Sequence, residues 1–107
     1  MFRDIIKERI QISIKTQDEW DYGIEQCHKK LIGLFMNSMS DALNFLDTEC
    51  TADEFSWLSE VFDDIAEKTQ SREFIAALRR LAKKYPEETQ RYNVISFIDS
   101  AEGCIYP

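Results

Sequence analysis

Apolar residues recur along most of this chain at intervals of three and four, the spacing that gathers side chains on one face of an α-helix. Over residues 2–14, Phe2, Ile5, Ile6 and Ile10 share a side. Ile10, Ile12 and Ile14 then alternate, which leaves a strand-like end open for this first element. Thr16-Gln17-Asp18-Glu19 fits a capping box, in which the Thr and Glu side chains satisfy backbone donors reciprocally at a helix start. From there Trp20, Ile24, Cys27, Leu31, Leu34, Phe35, Ala42 and Phe45 keep nearly one face to about residue 46. That spacing fits one long helix or two broken near Asn37-Ser38.

Thr51-Ala52-Asp53-Glu54 is a second capping box and opens the next helix. Ser71 is an N-cap candidate for a helix striped by Phe74, Leu78, Leu81 and Tyr85. Pro86 ends it, because the residue before proline is pushed out of the α region. Proline also suits the first turn of a last helix, with Tyr92, Ile95, Ile98 and Ala101 inward and Gly103 closing it. The fold class predicted is all-α: one compact domain over residues 1–107, of five to six antiparallel helices on short connections. Only three Gly and two Pro in 107 residues agree with that.

Charge narrows the function. The net charge of −7 argues against a nucleic-acid or anionic-membrane binder, both of which need surplus Lys and Arg. No 18-residue apolar run offers a membrane span. Asp4 and Glu8 fall where a signal peptide would be apolar, so a cytoplasmic protein is expected. Cys27, Cys50 and Cys104, odd in number and far apart, read as free thiols. Residues 41–67 carry Asp41, Asp47, Glu49, Asp53, Glu54, Glu60, Asp63, Asp64 and Glu67 without one Lys or Arg. Residues 68–91 are rich in both.

Catalytic chemistry finds little to work with. Any triad would have to use His28, whose neighbour Cys27 points about 100° away on a helix. Glu25-Gln26-Cys27-His28 matches half of a carboxylate di-iron motif, but the second half is missing. No glycine-rich phosphate loop is present. The acids at Glu60, Asp63, Asp64 and Glu67 suggest Mg²⁺, yet they lie along the outside of a single helix. No catalytic residue, metal ligand or cofactor is therefore assigned, and a small metal-dependent phosphohydrolase remains the alternative.

Projecting residues 52–68 at 100° per residue puts Phe55, Leu58, Val61, Phe62, Ile65 and Ala66 on an inner face. Asp53, Glu60, Asp63, Asp64 and Glu67 fall outside, with Trp57 on the acidic side of the border. Like charges without i,i+4 Lys partners repel by a few tenths of a kcal/mol per pair. A face that keeps this cost, with an aromatic anchor in it, suits a basic protein partner. The plainer alternative is a Trp57 tucked under a neighbouring helix beside acids that are merely solvated.

The run CTADEFSWLSEVFDDIAEKTQSREFIAALRRLAKKYPEE, followed by YNVISFIDSAE and preceded by DEWDYGIEQCHKKLIGLFMNSMSDALNFLD, resembles small bacterial immunity proteins of contact-dependent growth inhibition and related polymorphic toxin systems. The likeness covers residues 18–102 or so and is most specific around Glu54-Phe55-Ser56-Trp57-Leu58-Ser59-Glu60. It implies a cytosolic inhibitor, monomeric by itself, that binds the C-terminal toxin domain of an exported effector one to one. Such toxins are often RNases, with tRNA a frequent substrate. The partner-binding residues expected are Asp53, Trp57, Glu60, Asp63, Asp64 and Glu67. A helical adaptor for some other basic protein is the remaining reading.

Overall fold

The computed structural model describes residues 1–107, and every regular element in it is helical. Helix α1 runs unbroken over Phe2–Thr16. Its alternating isoleucines make no strand: on the helix Ile12 is buried and Ile14 is exposed. Gln17 and Asp18 then take φ of 54° and 63°, and such left-handed residues stop helices. The capping box expected at Thr16–Glu19 does not form. The Thr16 hydroxyl instead donates to the Ile12 carbonyl at 2.6 Å, within α1. Helix α2 (Asp21–Asn37) accordingly starts without a side-chain cap. Trp20 precedes that helix rather than lying on its inner face, and it is 52% exposed. Its indole covers Gly23, where a Cβ would stand 2.2 Å from a ring carbon.

The chain breaks at Ser38, one of the two sequence alternatives. Ser38 is extended (φ −152°, ψ 97°) and its hydroxyl accepts the Asp41 N–H, which starts α3 (Met39–Thr48). The capping box at Thr51 forms in full. Thr51 Oγ1 accepts the Glu54 N–H at 3.2 Å, and the Glu54 carboxylate accepts the Thr51 N–H at 2.9 Å. It opens α4 (Ala52–Leu58), which passes through a 3-10 turn at Ser59–Val61 into α5 (Phe62–Thr69). Ser71 caps α6 (Arg72–Lys84), as the sequence predicts.

Pro86 opens α7 (Pro86–Arg91), but this helix does not run on to Gly103. Asn93 adopts φ 52°, and α8 (Val94–Gly103) begins anew behind it. With α4 and α5 taken as one bent rod there are seven rods, more than the five to six expected. They are not all antiparallel either. Arg3 pairs with Glu54 and Arg9 with Glu60, so partners advance together and α1 lies parallel to α4.

Aromatic rings join the layers. Phe2 stacks on Phe45 at 5.0 Å and meets Phe35 edge-on at 5.3 Å. Phe35 meets Phe74 at 5.4 Å, and Phe74 meets Phe62 at 6.1 Å. Each such buried side chain is worth about 1.5–3 kcal/mol. Phe55, Leu58, Val61, Phe62, Ile65 and Ala66 are all buried, as their spacing predicts, and this fixes which way the acidic side of the rod faces. No helix is long and apolar enough to cross a membrane.

Candidate partner-binding cleft

The cleft beside Trp57 has two walls. Helix α4 and the 3-10 turn supply Asp53, Trp57 and Glu60; the α7–α8 junction supplies Tyr92 and Phe97. The left-handed Asn93 creates the second wall by resetting the helical phase. Val94, Ile98 and Ala101 turn inward, whereas Tyr92, Ile95 and Phe97 are 52%, 41% and 43% exposed. Tyr92 and Ile95 were expected inside on the assumption of one continuous helix, and the break at Asn93 reverses that. The cleft is open on one side, with a volume of about 340 Å³, near the lower end of the roughly 300–1,000 Å³ typical of ligand sites.

A cation hidden in α1 reorganises the electrostatics. The Arg9 guanidinium lies 5.1 Å from the centre of the Trp57 ring. Its Nε and Nη2 donate to the two Glu60 oxygens at 2.9 and 2.8 Å, and Nη1 donates to Asp18 at 2.8 Å. His28 Nε2 donates to the same Glu60 at 2.9 Å, because an ionised carboxylate only accepts. Partial burial opposes the charged form of Glu60, but hydrogen bonds from His28 and Arg9 outweigh it and hold the carboxyl below its ordinary 4.5. Helix α4 is tied a second time where Arg3 grips Glu54 at 2.7 and 3.1 Å. Burial raises the Glu54 pKa, yet the bonds from Arg3 and the Thr51 backbone bring it, too, below 4.5.

The expectation that this face lacks internal cations is therefore corrected. Glu60 is neutralised from within the protein, and Trp57 is capped by Arg9 while packing against the core. Asp53, by contrast, has no ion-pair partner, and Arg9 is not part of the cleft wall.

The six residues expected to bind a partner do not all meet. Asp53, Trp57 and Glu60 share the cleft. Asp63 turns toward α8 and accepts from the Ser100 hydroxyl at 3.0 Å. Asp64 borders a separate recess with His28 and Lys68, and Glu67 is exposed outside both. The joint ahead of α5 is the physical reason: Val61 (φ −116°, ψ 6°) leaves helical geometry, so α5 continues on its own axis and all three acids lie beyond that joint.

Sequence reasoning missed Arg9, Tyr92 and Phe97. Arg9 had a signal, since it continues the inward stripe of Phe2, Ile6 and Ile12, where a charge must find a partner. The other two depend on a left-handed asparagine that no pattern marks. No three His, Cys, Asp or Glu side chains converge as a metal-binding group. Cys27 and Cys50 are buried, and burial pushes the Cys50 thiol up to about 12, away from nucleophilic use. What fold and site define is an all-α domain with an acidic, aromatic-walled cleft. Comparison with protein-family models, with curated proteins and with solved structures finds no match in any of the three.

Proposed function

We propose that this chain is a toxin-neutralising immunity protein, binding a cognate nuclease toxin domain, an RNase or tRNase, and blocking it from the surface around the Trp57 cleft. The observation that carries this reading is the meeting of three aromatic side chains with the unpaired Asp53 in one concavity of a chain of net charge −7. Concave aromatic centres are where protein interfaces concentrate their energy. A nuclease must carry positive charge to hold a phosphate backbone, so an acidic cleft complements it. Asp63, Asp64 and Glu67 lie beyond the cleft and extend the negative field that draws such a partner in. The partner is a basic C-terminal toxin domain held one to one in the cytosol, with neither nucleic acid nor membrane bound directly.

The protein to test against is the C-terminal domain of a candidate toxin, to be sought first in the reading frame directly upstream. Co-expression should restore growth, and equimolar chain should stop RNA cleavage by the purified domain. Replacing Tyr92 and Phe97 together by alanine should raise the amount of chain needed by roughly thirtyfold or more. The melting temperature should move little, since both rings are about half exposed and stand outside the buried core. A domain that is harmless alone, or a toxin left active by excess chain, contradicts the reading.

A further inference from the structure

The walls of the Trp57 cleft supply π-faces and acceptors but no cation. Trp57, Tyr92 and Phe97 line it together with Asp53 and Glu60. Nearby hydroxyls are already committed: Ser56 donates to the Asp53 carbonyl at 2.8 Å and Ser59 to the Ser56 carbonyl at 2.6 Å. Both Glu60 oxygens are taken by Arg9 and His28. The one lining carboxylate left without an ion pair is Asp53, in the first turn of α4.

We propose that the cleft seats a single arginine side chain of the partner, its planar head against the aromatic walls and its N–H edge on Asp53. This rests on the reading of the cleft as a protein-binding site and names the chemistry that occupies it. The molecule already contains a similar arrangement. Arg9 lies 5.1 Å from the Trp57 ring centre and forks onto Glu60, outside the cleft lining, so one guanidinium is already held by an aromatic ring and a carboxylate of this wall. The partner arginine repeats that pairing within the cleft, with Asp53 in the place of Glu60.

An ammonium fits less well. Lysine offers a compact, strongly hydrated charge, whereas guanidinium is weakly hydrated and stacks flat while its edge donors reach a carboxylate. A cleft of about 340 Å³ also suits one long side chain rather than a peptide segment. Charge complementarity, from Asp53 locally and −7 overall, points to the same occupant.

The test titrates the isolated chain with three capped tripeptides, Gly-Arg-Gly, Gly-Lys-Gly and Gly-citrulline-Gly, followed by amide chemical shifts and tryptophan fluorescence. Citrulline keeps the shape of arginine and removes its charge. The arginine peptide should saturate with shifts centred on Asp53, Trp57, Tyr92 and Phe97. It should bind about fivefold or more tighter than the lysine peptide, and the citrulline peptide should not saturate. Asp53→Asn should weaken the arginine peptide by about tenfold at an unchanged melting temperature. Citrulline or lysine binding as tightly as arginine, shifts centred elsewhere, an indifferent Asp53→Asn, or no shift at the cleft overturns the proposal. Toxin neutralisation is read separately. A chain that protects cells but ignores arginine loses only this inference, whereas one that binds arginine and protects nothing loses only the immunity reading.

Discussion

Arg9 lies on the inner stripe of α1 with 5% of its side chain exposed, and directs Nε, Nη1 and Nη2 at two carboxylates. That makes Glu60 a structural residue as well as a wall of the cleft. Glu60→Gln should cost about 1–3 kcal/mol, because the buried guanidinium keeps only Asp18 as a counter-charge. The loss stays below the roughly 3–5 kcal/mol of a fully buried pair, since 31% of the Glu60 side chain reaches water. Glu60→Lys would set two cations against each other and damage the fold, so it cannot report on partner binding alone. The acid dependence follows from the lowered Glu54 and Glu60 carboxyls. A folded pKa below the unfolded one contributes stability that is present above about 4.5 and is lost as pH falls through the lower folded value. Urea unfolding at pH 7 and near pH 3 should therefore show a smaller drop for Glu60→Gln than for the parent chain. An equal drop would detach Glu60 from the acid sensitivity.

At the scale of elements, the capping box at Thr51 joins sequence to site most directly. Its Glu54 both closes the box and receives Arg3, so one carboxylate starts α4 and clamps α1. Thr51→Ala should destabilise the chain by about 0.5–2 kcal/mol in thermal or urea unfolding, and a neutral substitution would mean the cap is redundant. Where a start signal and an apolar stripe coincide, as from Thr51 and from Ser71, the sequence is legible, and at Lys84 the following proline also supplies the stop. The inward faces of both helices follow from their spacing alone. What is not legible depends on backbone turned against propensity. Gln17, Asp18, Gln70 and Asn93 are left-handed without being glycine; the first two undo the expected cap at Thr16, and the last undoes the expected last helix. The joint at Ser59–Val61 likewise leaves the apolar stripe intact, while Asp63, Asp64 and Glu67 beyond it fall outside the cleft. Asp53, Trp57 and Glu60 of the candidate cleft are legible in the sequence, and Arg9 behind them carries a signal in its inward stripe; Tyr92 and Phe97 needed the third dimension.

Across the whole molecule, exposed ion pairs bridge the outer helices while leaving charge over. Arg79 joins α6 to α8 through Asp99 and Glu102, and Arg80 joins α6 to α3 through Asp47. The basic residues of α6 are thus partly spent inside the protein, and the unpaired acids dominate its outer field. Association with a basic toxin domain should slow markedly as salt rises past physiological strength, where the Debye length is about 8 Å, while dissociation changes little. An association rate indifferent to salt would remove electrostatic steering from the picture. The most direct measurement is hydrogen–deuterium exchange of the chain, alone and in complex with a toxin domain of the kind proposed above. Protection should appear in α4 around Asp53 and Trp57 and at the α7–α8 junction around Tyr92 and Phe97, with α6 unchanged. Protection confined to α6 or to the Trp20 end of α2, with the Trp57 cleft exchanging as in the free chain, would contradict it.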